Sequence, residues 1–235
     1  LMEDDIKDSR GKLIDHMVPR EVDQLLSRRK RLRDQHRRVL TSAAAGCRGG
    51  VKRVNLVARK RDGALLSELF TRDGVGTLIT AEPYESIRRA RIDDVSGIVE
   101  LITPLESSGA LVARPRELLE REVDRFVIIE RDGTVIGCAA LYPFADHGMG
   151  ELACLAVHGD YQGEGRGDAL LSHVEQQAEQ QNLGQLFVLT TRTAHWFRER
   201  GFEPSSPGLL PQRRRDLYNW QRNSKVFVKL LTIPL

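Results

Sequence analysis

The sequence predicts an α/β chain in two parts, and three observations carry that prediction. Between Val51 and Ile79 a strand, a turn, a helix, a glycine-bearing loop and a second strand follow one another. Ala81-Glu82-Pro83-Tyr84 then reads as a linker, and the rhythm changes after it. Beyond it two apolar runs flank Asp132-Gly133, a third follows closely, and a glycine cluster leads into an amphipathic helix. On that break the chain divides into residues 1–81 and 82–235.

In the first part, residues 1–40 are polar and poorly periodic. Ser27–Arg38 (SRRKRLRDQHRR) is the densest basic run; it reads as a solvated helix or loop, with a phosphate-binding surface as the alternative. Ala43-Ala44-Ala45 suits a helix end, stopped by Gly46 or by Gly49-Gly50. Val51–Ala58 reads as a strand and Asp62-Gly63 as a turn. Leu65, Leu66 and Leu69 share one helical face, and the loop 71–77 runs into the short strand Leu78-Ile79.

In the second part, Ile87–Ala90 is a short strand, and Ile92-Asp93-Asp94 opens a helix with Asp93 as its N-cap. Leu118 and Leu119 belong to a second helix. Phe126–Glu130 and Val135–Tyr142 form a β-hairpin through an Asp-Gly turn. Glu151–Val157 extends it as a meander. A helix from about Gly167 to Gln181, a strand Leu186–Thr191, a helix Ala194–Arg200 closed by Gly201, and a strand Lys225–Leu231 complete the order.

Composition narrows the function classes. With 40% hydrophobic and 29% charged residues the chain can bury a core and stay soluble. No window approaches the roughly 18 apolar residues of a membrane span, so no membrane partner is expected. The acidic start Leu1–Asp5 lacks the pattern of a signal peptide, and because it does not open on Met, residues ahead of Leu1 are expected. Cys47, Cys138 and Cys154 stand far apart without C-x-x-C spacing, which argues against a metal site or a disulfide framework and suits the cytoplasm. The net charge of +3 fits a small anionic ligand as well as it fits nucleic acid, and no nucleic-acid partner is expected.

The chemistry centres on Gln162-Gly163-Glu164-Gly165-Arg166-Gly167, followed by Asp168. Alternating glycines permit positive φ and let backbone amides approach a ligand. The helix beyond, with Leu170, Leu171, Val174 and Ala178 on one face, points free N–H groups back at the turn, which makes an anion site. The spacing matches neither the P-loop nor the dinucleotide pattern. A tight turn without a ligand is the competing reading.

The order of elements decides between them. Hairpin, apolar strand Leu152–Val157, Gln162-x-x-Gly165-x-Gly167, helix, strand, then Ala194-His195-Trp196-Phe197-Arg198-Glu199-Arg200-Gly201-Phe202 resembles the GNAT acetyltransferase superfamily over residues 84–235. The resemblance implies acetyl-CoA as acyl donor, its pyrophosphate on the loop amides and its pantetheine arm along Leu155, Ala156 and Val157. Glu151, at the start of the central strand, is the candidate base, through a raised pKa or through water, since an ordinary Glu titrates near 4.3. A surface Glu at a strand end is the plainer alternative. Amides near Leu155 could stabilise an oxyanion. Many members place a Tyr near the leaving sulfur; here Trp196 and Phe197 stand there without a hydroxyl. Thr190 or Thr191 is then the candidate donor, or the thiol, with a pKa of about 8.5, departs unassisted.

A dicarboxylate acceptor needs guanidinium forks, for which Arg114 and Arg222, with Ser224 and Lys225, are candidates; on composition alone a surface cation is the plainer reading of each. The stretch Ala64–Thr77 looks like the end of an amino-acid kinase-type domain. Joined to a GNAT domain, and with Glu151–Val157 and Trp220–Lys225 in agreement, it resembles the fused N-acetylglutamate synthases of bacteria. That resemblance implies L-glutamate as acceptor, N-acetyl-L-glutamate as product and the first step of arginine biosynthesis. It places Arg114, Arg222 and Ser224 at glutamate, and Glu151 and Cys154 near the reacting centre. It also implies feedback by L-arginine through Glu68, Gly74 and Gly76, and a homo-oligomer is expected. Two alternatives stay open: a GNAT enzyme for another amine, such as a protein N-terminus or a lysine, or a non-catalytic module that binds arginine and coenzyme A.

Overall fold

In the computed structural model, residues 1–29, 32–71 and 74–232 are described. Lys30 and Arg31 of the basic run, and Arg72 and Asp73 of the glycine-bearing loop, lie outside them. The chain forms two compact units that part between Tyr84 and Glu85.

The first unit has a three-stranded sheet in the order β1 (His16–Met17), β3 (Thr77–Thr80), β2 (Arg53–Leu56), with β1 parallel and β2 antiparallel to β3. Two helices precede β2: α1 (Pro19–Arg28), absent from the sequence reading, and α2 (Asp34–Arg48), of which only the end at Ala43–Ala45 was expected. The basic run is therefore divided between two helix ends. Within it, Arg37 donates to the carbonyls of Leu26 and Arg29, and Arg33 pairs with Asp4. Gly46 lies inside α2, and Gly49 closes it through Gly49 N–H to Ala45 O at 2.9 Å. Met2, Ile6, Val22, Leu40, Ala44, Leu56 and Ile79 make the core. The helix α3 (Ala64–Phe70) turns Ala64 inward and leaves Leu65, Leu66, Leu69 and Phe70 exposed.

The second unit is a seven-stranded, mostly antiparallel sheet in the order β4-β5-β6-β7-β8-β10-β9. Its strands are β4 (Glu85–Arg89), β5 (Phe126–Arg131), β6 (Thr134–Phe144), β7 (Met149–Val157), β8 (Gln185–Thr190), β9 (Glu203–Ser205) and β10 (Lys225–Leu230). The β5–β6 turn needs its sequence: Asp132 (φ 49°) and Gly133 (φ 75°) both take positive φ, the requirement of a two-residue hairpin with the twist of its strands. Phe126 and Ile128 pack under α4 (Val95–Ser107) and α5 (Arg116–Arg121), whereas Val127 and Ile129 pack under α6 (Arg166–Gln180). That is why β5 is apolar at consecutive positions rather than alternating.

The α4 entry corrects the expected cap. Asp94, rather than Asp93, accepts from Arg91 N–H at 2.7 Å, and a 3₁₀ turn at Ile92–Asp94 precedes the helix. The same carboxylate takes a fork from Arg88 (2.7 and 2.8 Å), while Arg88 Nε reaches Glu130 at 2.8 Å. Two short elements, β9 and α8 (Gln212–Asp216), were not legible beforehand. No helix among the described residues is long and apolar enough to cross a membrane.

Two outcomes test this packing. Leu170 is fully buried between α6 and the sheet, so Leu170→Ala should lower unfolding free energy by about 2–5 kcal/mol in a denaturant titration. Arg88, with Arg91 N–H, holds the Asp94 carboxyl below the usual aspartate value. A depressed folded pKa stabilises above the unfolded value near 3.9 and is lost as pH falls through the folded one. Asp94→Asn should therefore destabilise at pH 7 by about 1–3 kcal/mol, and the gap to the parent should close below about pH 4 in urea melts.

Candidate active site

The site begins where the sheet opens. β7 and β8 run parallel and pair over three positions only: Met149 with Gln185, Gly150 with Leu186, and Glu151 with Phe187. Beyond Glu151, β7 stays on β6 while β8 stays on β10 through six pairs. The strands diverge, and a cleft of about 1110 Å³ fills the space. A β-bulge sharpens the split: Ala153 pairs with Ala140 and Ala156 with Cys138, so Cys154 and Leu155 together face one residue of β6. Cys154 takes φ 53°, a left-handed conformation rare for such a side chain. Leu155, Ala156 and Val157 all line the cleft.

Below the open strands lies the glycine loop. Gly163 and Gly165 both have φ 81°, and Gly165 is the N-cap of α6. Gly167 is needed for another reason, because a Cβ there would meet the Trp196 ring at 3.1 Å. The first helical bond is Ala169 N–H to Gly165 O at 2.9 Å, so the amides of Arg166, Gly167 and Asp168 precede the ladder and carry the positive end of the helix. These backbone groups suit an anion.

The loop's side chains do something else. Gln162 Nε2 reaches back to Val157 O at 2.9 Å and ties loop to strand. Arg166 is buried, forks onto Glu85 (2.9 and 2.8 Å), and also reaches Glu164 (2.8 Å) and Tyr161 O (2.9 Å). Asp168 pairs with Arg200, whose guanidinium lies 3.9 Å from the centre of the Trp196 ring. Gln162, Glu164, Arg166 and Asp168 thus brace the loop with their side chains and leave its amides to a ligand. Glu164, unlike the others, does not line the cleft.

At the other end the structure brings together Glu151, Cys154, Arg114, Arg222 and Ser224 as cleft-lining residues. Glu151 is buried, and its Oε2 accepts from Arg214 Nε at 2.6 Å. Arg114, on the segment between α4 and α5, is anchored by Nη1 to Val112 O at 3.1 Å. Burial pulls its guanidinium down, but Cys154, Tyr142 and Glu151 outweigh that and the net direction is up. Cys138 Sγ–H donates to the Cys154 carbonyl at 3.3 Å; the neighbouring Cys154 thiol and burial push Cys138 up, while the Cys138 thiol, with the Arg114 charge behind it, holds Cys154 below the usual thiol value. Arg222 caps Ala110 O (2.7 Å) and Gly109 O (3.2 Å), and its buried Nε has no acceptor among the described residues. Burial, then the charges of Arg114 and Arg214, hold it below the usual guanidinium value.

Thr190 lines the cleft, but its hydroxyl is engaged in the turn after β8. It accepts from Thr193 N–H at 3.1 Å and Arg192 N–H at 3.3 Å, and it shares a 2.7 Å bond with the Thr193 hydroxyl. Phe197 is buried in the core and Trp196 faces the cleft. Glu68, Gly74 and Gly76 lie in the first unit, where Glu68 accepts from Val75 N–H (2.8 Å), Gly76 N–H (2.9 Å) and Asn55 (2.8 Å). Among the described residues no group of three or more His, Cys, Asp or Glu could hold a metal ion.

Sequence reasoning missed Tyr142, Arg200 and Arg214. Tyr142 stands opposite Glu151 across β6 and β7 and donates to Glu122 at 2.8 Å, which with burial raises its pKa. Its alternation on β6 offered a signal. Arg214, in the run Gln212-Arg213-Arg214-Arg215, offered none. Seven arginines line the cleft against three carboxylates, so the chain's small net charge is concentrated there and favours an anionic ligand.

The acetyltransferase (GNAT) domain description matches residues 122–204. The amino-acid acetyltransferase of Ectopseudomonas mendocina is 56% identical over 230 residues, 97% of this chain and 52% of that protein. The crystal structure of N-acetylglutamate synthase from Neisseria gonorrhoeae complexed with coenzyme A and L-arginine is 41% identical, with a TM-score of 0.85, over 98% of this chain and 52% of that one. The same enzyme complexed with coenzyme A and N-acetyl-glutamate matches at 41% identity and a TM-score of 0.62, over 98% and 54%. The chain spans about half the length of the curated relatives it matches. Residues 122–204 therefore carry a GNAT acetyltransferase domain, and nearly all of the chain is similar to about half the length of a bacterial amino-acid acetyltransferase.

Proposed function

We propose that this chain transfers the acetyl group of acetyl-CoA to the α-amine of L-glutamate, giving N-acetyl-L-glutamate. The observation that carries the reading is the juxtaposition of an anion-binding helix start with a second, guanidinium-rich pocket at Glu151, joined by the opening between β7 and β8. The coenzyme A and N-acetyl-glutamate held by the neisserial relative support it.

The geometry and the resemblance together support a role for each group. Amides at the start of α6 hold the pyrophosphate, and the free edge of β7 at Leu155–Val157 pairs with the pantetheine arm. The bulge turns the amide edge at Cys154–Leu155 toward the reacting carbonyl, where it stabilises the developing oxyanion. Arg114 and Arg222 bind glutamate through a carboxylate, with Ser224 beside them. Glu151 takes the proton of the amine, directly or through water. Thr190, fixed in its turn, shapes the thiol end of the cleft. Regulation by L-arginine, which the neisserial relative binds, is assigned to the first unit at Glu68, Gly74 and Gly76.

A coenzyme A-release assay across a panel of amino acids, with and without L-arginine, tests the whole reading; release with glutamate above all others is expected, and none with any amino acid sinks it. Arg222→Ala should raise KM for glutamate by about 30-fold or more, the scale of an unpaired buried carboxylate. KM for acetyl-CoA should stay unchanged. Gly165→Ala should do the reverse, weakening acetyl-CoA by about 5- to 30-fold through the strain of a side chain at φ 81°. If Gly165→Ala moves the glutamate KM instead, the loop assignment is wrong.

A further inference from the structure

Arg214 is a cleft guanidinium without a part in that reading. It stands on the short helix α8, its side chain 19% exposed against 10% for Glu151. The Nε–H donates to Glu151 Oε2 at 2.6 Å, and Nη1 reaches Leu217 O at 3.4 Å. The Nη2 edge has no acceptor among the described residues, although Arg214 lines the cleft. Arg222 and Arg114 approach the same space from two other elements, and each is anchored on backbone carbonyls. Three guanidiniums therefore share a pocket, and one of them already grips the candidate base.

Resting on the reading of the site as a glutamate N-acetyltransferase, we propose that Arg214 is a positioning residue that spans base and acceptor: its Nε edge orients the Glu151 carboxylate, and its Nη2 edge receives the α-carboxylate of the acceptor. An α-amino acid carries its amine one carbon from that carboxylate. A carboxylate seated on a guanidinium that also holds Glu151 brings the amine beside the base. Arg114 and Arg222 are then left for the side-chain carboxylate. Recognition of the α-carboxylate and placement of the base become one interaction, so an amine without a neighbouring carboxylate binds poorly and is also misaligned. A planar fork can serve two carboxylates on two edges; the point charge of a lysine cannot.

The test compares L-glutamate with its α-amide and with glutamine, the side-chain amide, in the parent and in Arg214→Ala. The parent should prefer glutamate to the α-amide by at least about 30-fold in kcat/KM, as expected for a buried charge contact. Arg214→Ala should cut that preference to under about threefold, leave the preference over glutamine in place, and lower kcat by at least about tenfold, since a misplaced base forfeits its contribution. In a Glu151→Gln background the same substitution should lower kcat by less than about twofold, because the two residues act as one unit. Arg214→Lys should recover KM for glutamate better than kcat. Arg214→Gln, which keeps most of the volume, gives the same readouts if the alanine variant does not fold, with coenzyme A binding by calorimetry as the check on the site. Retained discrimination against the α-amide, or kcat losses that multiply with those of Glu151→Gln, overturns the inference while leaving the acetyltransferase reading standing. No turnover by the parent on any amino acid removes both.

Discussion

The opening between β7 and β8 is the constraint on which the rest of the second unit depends. A backbone polar group removed from water without a partner costs on the order of 1–3 kcal/mol, so sheets do not part without a reason. Here they part because each strand is held more firmly elsewhere. β8 keeps six antiparallel pairs with β10, and β7 keeps its pairing with β6 up to Val157. The bulge at Cys154 adds twist at the point of divergence and takes β7 away from β8. The exposed edge of β7 then offers a ladder to an extended ligand, and α6 begins just past its end, so one opening presents both a strand edge and a helix start. A strand edge suits a chain of amides, and a helix start suits phosphate.

Charge is distributed along the cleft to match. The side chains of the glycine loop are almost all neutralised, Arg166 by Glu85 and Glu164, and Asp168 by Arg200. That end therefore binds an anion through fixed backbone dipoles, whose geometry the braces keep in place. The other end uses whole charges: Arg114, Arg214 and Arg222 line it with Glu151, which pairs directly with Arg214 alone. Guanidiniums crowded in this way repel one another; burial first, and then the charges of Arg114 and Arg214, hold Arg222 below the usual guanidinium value, and an acidic acceptor relieves that repulsion. A neutral amine does not, which is the electrostatic argument for a dicarboxylate over a protein N-terminus or a lysine.

Legibility in the sequence followed sequence distance. Asp132-Gly133 specified the hairpin because positive φ at two consecutive positions has few solutions. The donor end was also readable, since Glu151–Asp168 is one contiguous stretch whose glycines and helical periodicity announce their geometry. What could not be read was the direction of each side chain. Arg166 stands in the loop whose amides suit an anion, but its side chain is a brace, because the half-buried Glu85 eighty-one residues earlier claims it. Asp93 and Asp94 were indistinguishable as caps until Arg88 and Arg91 selected Asp94. The helix α1 and the first half of α2 were hidden because charged residues cover so much of their surface, leaving Val22 and Leu40 to mark the buried side, while Ala43, Ala44 and Cys47 made the end of α2 readable.

The guanidinium-rich end was singled out mainly through resemblance, and the structure gives the physical reason. Arg114, Glu151, Arg214 and Arg222 come from four separate segments, and three of these are short or irregular connections. Arg222 shows how such a pocket holds together, since its guanidinium ties the Gly109–Ala110 turn to a segment more than a hundred residues away. Loops assembled in this way can change independently of the sheet that carries them. The donor end cannot, because the bulge, the strand edge and the helix start are one continuous piece of backbone. A fold built on this plan keeps its acyl donor while its acceptor is free to vary, so the acceptor must be argued from the guanidiniums and the carboxylate they surround.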